Sequence, residues 1–88
     1  MPAVYIALQN NEEARPIIEA ISEDNPEATV NDFPAMVKID APERLVIRRE
    51  SVEEKIGRDW DVQEIHIHLV SLSGRVDEDE DEMILEWG

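Results

Sequence analysis

Length, charge and cysteine content set the first limits on what this chain can be. Its 88 residues suffice for one small domain over residues 1–88 and leave no room for a second core. Eight Lys plus Arg against twenty-two Asp plus Glu give a formal net charge of −14, which repels phosphate backbones and disfavours nucleic-acid binding. The absence of cysteine excludes disulfides, thiolate metal sites and cysteine nucleophiles.

The N-terminal segment predicts a strand and no membrane anchor. Val4, Ile6 and Leu8 recur with period two, which is typical of a strand with one buried face. The segment has no basic region before it and turns polar at Gln9, too early for a signal peptide or a membrane span. We therefore expect a soluble, cytoplasmic protein.

The next segment predicts an amphipathic helix. Asn10 and Glu13 have the spacing of a capping box, and Pro16 lies close enough to the helix start to shift that start toward Ala14. The sequence Asp24-Asn25-Pro26 ends the helix, because the residue before a proline is pushed out of the helical region. The apolar residues at helical spacing are Ala14, Ile17, Ile18 and Ile21.

Three strands are predicted after this helix, over Ala28–Val30, Met36–Ile39 and Arg44–Arg48. Their short connections imply an antiparallel meander. We expect the basic side chains on or near these strands to pair with local acids. They are Lys38, Arg44, Arg48 and Arg49.

A second, shorter helix follows. Ser51 and Glu54 have capping-box spacing, and Gly57 is a natural C-cap. Trp60, which comes just before the next strand, is expected to seal one end of the core.

The clearest predicted strand covers Val62–Val70. Ile65 and Ile67 are placed on one face, and His66 and His68 share the other face. A His-x-His pair on one strand face has the geometry of two metal ligands, but a third ligand is not evident. We expect two polar-face histidines without a metal.

The C-terminal part predicts an acidic turn and a closing strand. Gly74 breaks the preceding strand, and Asp77–Glu82 resembles the first half of a calcium-binding loop. The resemblance fails because Glu82 stands where that loop needs glycine and Gly88 where it needs glutamate. We expect an acidic hairpin tip in water, before a strand over Met83–Trp87.

Taken together, the elements predict a single small α+β domain of order β-α-β-β-β-α-β, followed by one or two further strands. The sheet is expected to be mainly antiparallel, with two helices. No serine lies in a nucleophile turn, and the glycines are too scattered to hold a phosphate. Partner binding is therefore favoured over catalysis.

A family resemblance covers nearly the whole chain. The segments that carry it are Val4–Ala7, Asn25–Ala28, Pro34–Met36 and Ile56–Glu64. Together they resemble the phenol hydroxylase regulatory proteins of the MmoB/DmpM family, which serve bacterial multicomponent monooxygenases. More distantly, the chain is similar to the coupling proteins of methane and toluene monooxygenases.

The resemblance implies a regulatory protein without a cofactor or an active site of its own. Members of this family bind the hydroxylase component near its buried diiron centre and improve turnover and the coupling of NADH oxidation to substrate oxidation. The implied partners are a diiron hydroxylase and, through it, an NADH reductase, with no nucleic acid and no membrane. By similarity to the hydroxylase-facing segment of the methane relative, the expected contact residues are Val70, Ser71, Leu72, Ser73 and Arg75.

Two other functions remain open at this point. The charge of −14 and the acidic run are compatible with a nucleic-acid mimic that inhibits a DNA-binding protein. The element order also suggests a small-ligand sensing domain of the βαββαβ kind, although the extra central strand counts against it. A pull-down would retrieve DNA-binding proteins in the first case, and an isolated domain would bind an amino acid or nucleotide in the second.

Overall fold

A computed structural model describes residues 3–87 as seven strands, three α-helices and one 3₁₀ turn. Met1, Pro2 and Gly88, at the two ends of the predicted domain, lie outside the described residues. In chain order the elements are β1 Val4–Gln9, α1 Arg15–Asp24, β2 Thr29–Asp32, β3 Met36–Ala41, β4 Arg44–Arg48, α2 Arg49–Ile56, the 3₁₀ turn Val62–Glu64, α3 Ile65–His68, β5 Leu69–Ser73, β6 Arg75–Glu78 and β7 Glu82–Glu86.

The strands form two antiparallel sheets that share one aliphatic core. The first sheet has the order β2-β3-β1-β5, and the second has the order β4-β7-β6. The predicted α+β class with antiparallel pairing is confirmed. The structure adds a short third helix and divides the strands between two sheets.

The predicted meander of β2, β3 and β4 is half right. β2 and β3 pair as predicted, but β4 crosses to the second sheet and pairs with β7. β3 has only two edges, and β2 and β1 occupy both. Leu45 and Ile47 of β4 instead lie opposite Leu85 and Met83, and all four side chains are fully buried. The match between these buried faces therefore decides the pairing of β4.

β1 is the strand on which the first sheet is built. Val4, Ile6 and Leu8 are fully buried in the core, as their alternation predicts. Ala7 on the other face is buried too, opposite Lys38 in β3. The Lys38 ammonium lies 4.5 Å from the centre of the Tyr5 ring, so long side chains cover this small residue.

α1 begins one turn later than the predicted Asn10 cap. The Asn11 Oδ1 atom accepts a hydrogen bond from the Ala14 backbone N–H at 2.8 Å, and the first helical residues are Arg15 and Pro16. A proline at this position loses no intrahelical hydrogen bond. The predicted shift of the helix start toward Ala14 is confirmed, whereas the Asn10–Glu13 capping box is wrong.

Asn25 ends α1 and also covers the free edge of β4. Its Nδ2 atom donates to the Ile21 and Val46 carbonyl oxygens, each at 2.7 Å, and its Oδ1 atom accepts from the Val46 N–H at 3.0 Å. Both outward backbone groups of Val46 are thus satisfied by one side chain, which protects an edge strand from pairing with another chain.

α2 starts directly from β4, so the predicted Ser51–Glu54 cap is wrong. Its N-cap is Arg48, and the Arg49 N–H donates to the Asp81 carbonyl oxygen at 2.9 Å. Gly57 is the C-cap as predicted, with φ of 75° and an N–H bond to the Glu53 carbonyl oxygen at 2.9 Å.

An ion pair joins α1 and α2. Lys55 binds Glu23, and this hydrogen bond raises the pKa of the ammonium above its ordinary 10.5, with desolvation opposing the shift. A raised pKa contributes stability that is complete below the ordinary value and is lost as the pH rises through the raised one. The pair therefore adds no pH dependence near neutrality.

The predicted strand Val62–Val70 is wrong over most of its length. The Asp61 carboxylate accepts from the Gln63 N–H, and the Glu64 carboxylate accepts from the Asp61 N–H, each at 2.9 Å. This capping box starts a 3₁₀ turn that continues into α3, and strand geometry begins only at Leu69. Local capping therefore overrides the period-two pattern.

The centre of the acidic run, Asp79–Asp81, forms the tip of the β6–β7 hairpin as predicted, whereas the ends of the run belong to the two strands. The Asp79 Oδ1 atom accepts from the Asp81 and Glu82 backbone N–H groups at 2.8 and 2.9 Å, which fixes the turn. Trp60 is buried, as predicted, and its backbone N–H donates to the Glu53 carboxylate at 2.8 Å.

Substituting the two glycines that have positive φ should have unequal costs. A Cβ on Gly74 would lie 2.9 Å from the Val4 Cγ1 atom at φ of 128°, whereas a Cβ on Gly57 would meet nothing within 4 Å. We expect Gly57→Ala to lower the free energy of unfolding by about 1 to 2 kcal/mol, from backbone strain alone. Gly74→Ala should cost clearly more in urea unfolding, and equal losses would contradict this account of the β5–β6 turn.

Candidate protein-binding surface

β5 forms one edge of the four-stranded sheet. It pairs with β1 through Ala7–Ser71 and then Leu8–Leu69, so Val70 is an extra, unpaired residue. Such a bulge bends a strand and redirects its side chains. Val70 is half exposed at this point.

The predicted contact residues do not all lie on the same face of β5. Ser71 and Ser73 lie on the outer face of the sheet, where the Ser71 hydroxyl donates to the Tyr5 hydroxyl at 3.2 Å. Leu72 lies on the opposite face and packs against the core. Val70, Ser71 and Arg75 are exposed and Ser73 is partly exposed, so Leu72 alone faces inward.

Ile67 is a surface residue that the sequence interpretation missed. Its side chain is 67% exposed, more than any other large apolar side chain among the residues described. The predicted strand placed it beside Ile65 on a buried face, but α3 turns it outward. The Asp61–Glu64 spacing was the signal that could have identified it. We name Ile67, Val70, Ser71, Ser73 and Arg75 the β5 surface.

The two histidines do not share a face. Residues two apart in a helix point in nearly opposite directions, so α3 separates the His66 and His68 rings. His66 Nε2 lies 3.0 Å from Glu78 Oε1 on β6, whereas His68 is buried. Within residues 3–87, no group of three His, Asp or Glu side chains is placed to hold a metal ion.

The basic side chains near β4 mostly pair with local acids, as predicted. Arg44 lies 3.5 Å from Glu86, and Arg49 bridges Glu53 and Asp81 at 3.9 and 3.5 Å. Lys38 belongs to the other sheet and lies 3.5 Å from Asp40. Arg48 takes part in none of the ion pairs found in the described part of the chain. These exposed pairs contribute little stability individually.

The described helices are all too short to cross a membrane as an apolar span.

Comparison with known proteins identifies the family. The model of the MmoB/DmpM family matches residues 2–86. The chain belongs to the MmoB/DmpM family. The resemblance stated from the sequence is thereby confirmed.

Individual members of the family are similar over nearly their full length. The chain is 55% identical over 84 residues to the phenol 2-monooxygenase stimulatory component DmpM of Pseudomonas sp. strain CF600, covering 96% of this chain and 93% of the relative. A chain in a structure of a phenol hydroxylase–regulatory protein complex has a TM-score of 0.94 and 53% identity, over 99% of this chain and 100% of that one.

A more distant relative shares the fold. The soluble methane monooxygenase regulatory protein B has a TM-score of 0.77 at 21% identity, over 98% of this chain and 65% of its own. The MmoB/DmpM fold therefore extends to proteins with little sequence identity to this one.

Substitutions at two neighbouring β5 positions should separate folding from surface contact. Leu72→Ala removes a side chain that packs on the core and should lower the free energy of unfolding by about 2 kcal/mol. Ser71→Ala removes one exposed hydrogen bond and should change it by less than about 0.5 kcal/mol. Urea denaturation measures both, and a similar loss for the two variants would place Leu72 outside the core.

Proposed function

We propose that this protein is the non-catalytic regulatory component of a bacterial phenol hydroxylase and acts by binding its diiron hydroxylase component. The observation that carries the proposal is identity of 53–55% with two phenol hydroxylase regulatory chains, over nearly the full length of all three. The family membership leaves the nucleic-acid mimic and the ligand-sensing domain without support.

The proposal also covers location, domain organisation, cofactors and the reductase. The protein acts in the cytoplasm as one domain over residues 1–88, without a cofactor of its own. An NADH reductase delivers electrons to the hydroxylase and is linked to this protein only through the hydroxylase.

A regulatory protein without reactive groups acts through differential binding. It can alter turnover only if it binds one conformation of the hydroxylase more tightly than another. Coupling free energies of this kind are typically about 1 to 3 kcal/mol, which corresponds to roughly 5- to 150-fold in an equilibrium. Access of oxygen and substrate to the diiron centre then changes with the population of the favoured conformation.

The β5 surface is the part of the molecule that we assign to the hydroxylase. Ile67 and Val70 expose apolar side chains three residues apart, on a short helix and on a bulge. Ser71, Ser73 and Arg75 follow them closely in the chain and supply polar groups at or near the surface. An apolar centre with a polar margin is the usual anatomy of a protein interface. Leu72 packs against the core and so holds β5 in place.

The charge of the chain favours the same kind of partner. A net charge of −14 raises the rate of association with a basic surface and weakens association as salt screens it. The acidic tip at Asp79–Asp81 carries part of this charge.

Replacing the two exposed apolar residues should weaken hydroxylase binding without unfolding the protein. We expect Ile67→Ser and Val70→Ser each to raise the Kd about tenfold, because each removes about 1 to 2 kcal/mol of apolar burial. Calorimetric titration of the hydroxylase measures the Kd, and circular dichroism checks the fold. Phe33→Ser is the matched control, since Phe33 is 44% exposed but lies beyond the end of β2. An equal effect of the control would contradict the assignment.

Reconstitution tests the function itself. Hydroxylase and reductase are assayed with and without this chain, and product formed per NADH consumed should rise when the chain is added. The rise should diminish with increasing salt if acidic steering contributes. Unchanged product per NADH at equal molarity, with the protein folded, would refute the proposed function.

A further inference from the structure

The opposite edge of the same sheet has backbone hydrogen-bonding groups that none of the described strands pairs with. β2 is the terminal strand on that side, and the Phe33 N–H donates to the Met36 carbonyl oxygen at 2.9 Å at the turn into β3. Bonded pairs alternate in an antiparallel ladder, so Thr29 and Asn31 bond to β3. The N–H and C=O groups of the two intervening residues, Val30 and Asp32, must therefore point outward from the sheet.

The fold protects another edge but leaves this one open. Asn25 bonds to both outward groups of Val46 in β4. For residues 3–87, the hydrogen bonds found include none to the outward groups of Val30 or Asp32. An unpaired edge of this kind is a template for an added strand.

A groove runs beside this open edge, between β2 and α1. The Val30 and Asp32 side chains lie on the α1 side, because their partners in β3 are the buried Ile39 and Val37. The groove has a volume of about 360 Å³. Ile18 of α1 lies across it from β2, and Val37 forms part of its floor.

We propose that this groove binds an extended segment of a protein partner as an additional strand beside β2. The segment would pair its backbone with Val30 and Asp32, and every second side chain would enter the groove. An apolar side chain fits against Ile18, Val30 and Val37. Main-chain hydrogen bonds would provide affinity, and the groove would provide selectivity.

Charge indicates that the side chains entering the groove are both apolar and basic. The groove has three acidic side chains, Glu19, Glu23 and Asp32, against one basic side chain, Arg15. Lys55 neutralises Glu23, which leaves Glu19 and Asp32 on opposite walls to attract lysine or arginine. A second copy of this chain fits poorly, because each copy has a net charge of −14.

This site is separate from the β5 surface. β3 and β1 lie between the two edges, which places them about 14 Å apart at the usual strand spacing. Both edges can therefore be occupied at the same time. The proposal does not depend on the hydroxylase assignment.

A synthetic peptide tests the site on the full chain. We would titrate the isotopically labelled protein with a short peptide in which every second residue is alternately valine and lysine and the residues between them are threonine, and follow backbone amides by NMR and hydrogen exchange. Saturable shifts should centre on β2 and α1, with the Val30 and Asp32 amides becoming protected. The same peptide with N-methyl groups on its pairing edge keeps the charge and should not bind. Equal binding of the methylated peptide, or shifts spread over the whole acidic surface, would overturn the proposal.

Two charge variants give a matched comparison. Asp32→Lys and Glu27→Lys change the net charge equally, but Asp32 lines the groove and Glu27 does not. We expect Asp32→Lys to weaken peptide binding about tenfold and Glu27→Lys to have a much smaller effect. Equal effects would show that the peptide binds through general electrostatic attraction and not in the groove, and would overturn the proposal. Concentration-dependent self-association through β2, measured by ultracentrifugation, would assign the edge to a second copy and refute the peptide site.

Discussion

Close packing around β1 is the constraint on which the rest of the structure depends. This strand pairs with β3 and β5, and it also contacts β4 and β7 in the second sheet. Val4 at its start lies so near Gly74 that the β5–β6 turn has no room for a side chain at position 74. The positions of β5 and β6 are therefore set by the core, and the surface that we assign to the hydroxylase inherits that rigidity. A rigid surface suits a protein that must favour one conformation of its partner.

The edge strands of the two sheets differ in whether their outer backbone groups are covered. β4 is closed by Asn25, which acts as a substitute for a neighbouring strand, whereas β2 and β5 keep their outer sides accessible. Closing β4 holds α1 against the second sheet and therefore contributes to stability. Leaving edges open contributes nothing to stability and creates a hazard of self-pairing. The high negative charge counteracts that hazard, because copies of the chain repel one another.

Features encoded locally could be predicted from the sequence, and features that depend on distant partners could not. The alternation in β1, the C-cap at Gly57 and the acidic turn all arise from neighbouring residues, and all three predictions are confirmed. The pairing of β4 with β7 joins segments nearly forty residues apart, and short connections gave no indication of it. In the candidate site, Val70 is half exposed, and Leu72 packs against the core because of the register with β1, which the sequence did not reveal.

The predicted strand at Val62–Val70 is largely replaced by helix, and this replacement exposes a large apolar side chain. A continuous strand here would bury Ile65, Ile67 and Leu69 together, which is what the alternating pattern predicts. The Asp61–Glu64 capping box converts the first part into helix, so that Ile65 stays buried while Ile67 faces water. Exposing a large aliphatic side chain adds nothing to folding stability, and a second exposed apolar side chain, Val70, follows three residues later at the bulge. We propose that the departure from the simplest strand serves recognition, because burial against a partner would make an outward Ile67 favourable.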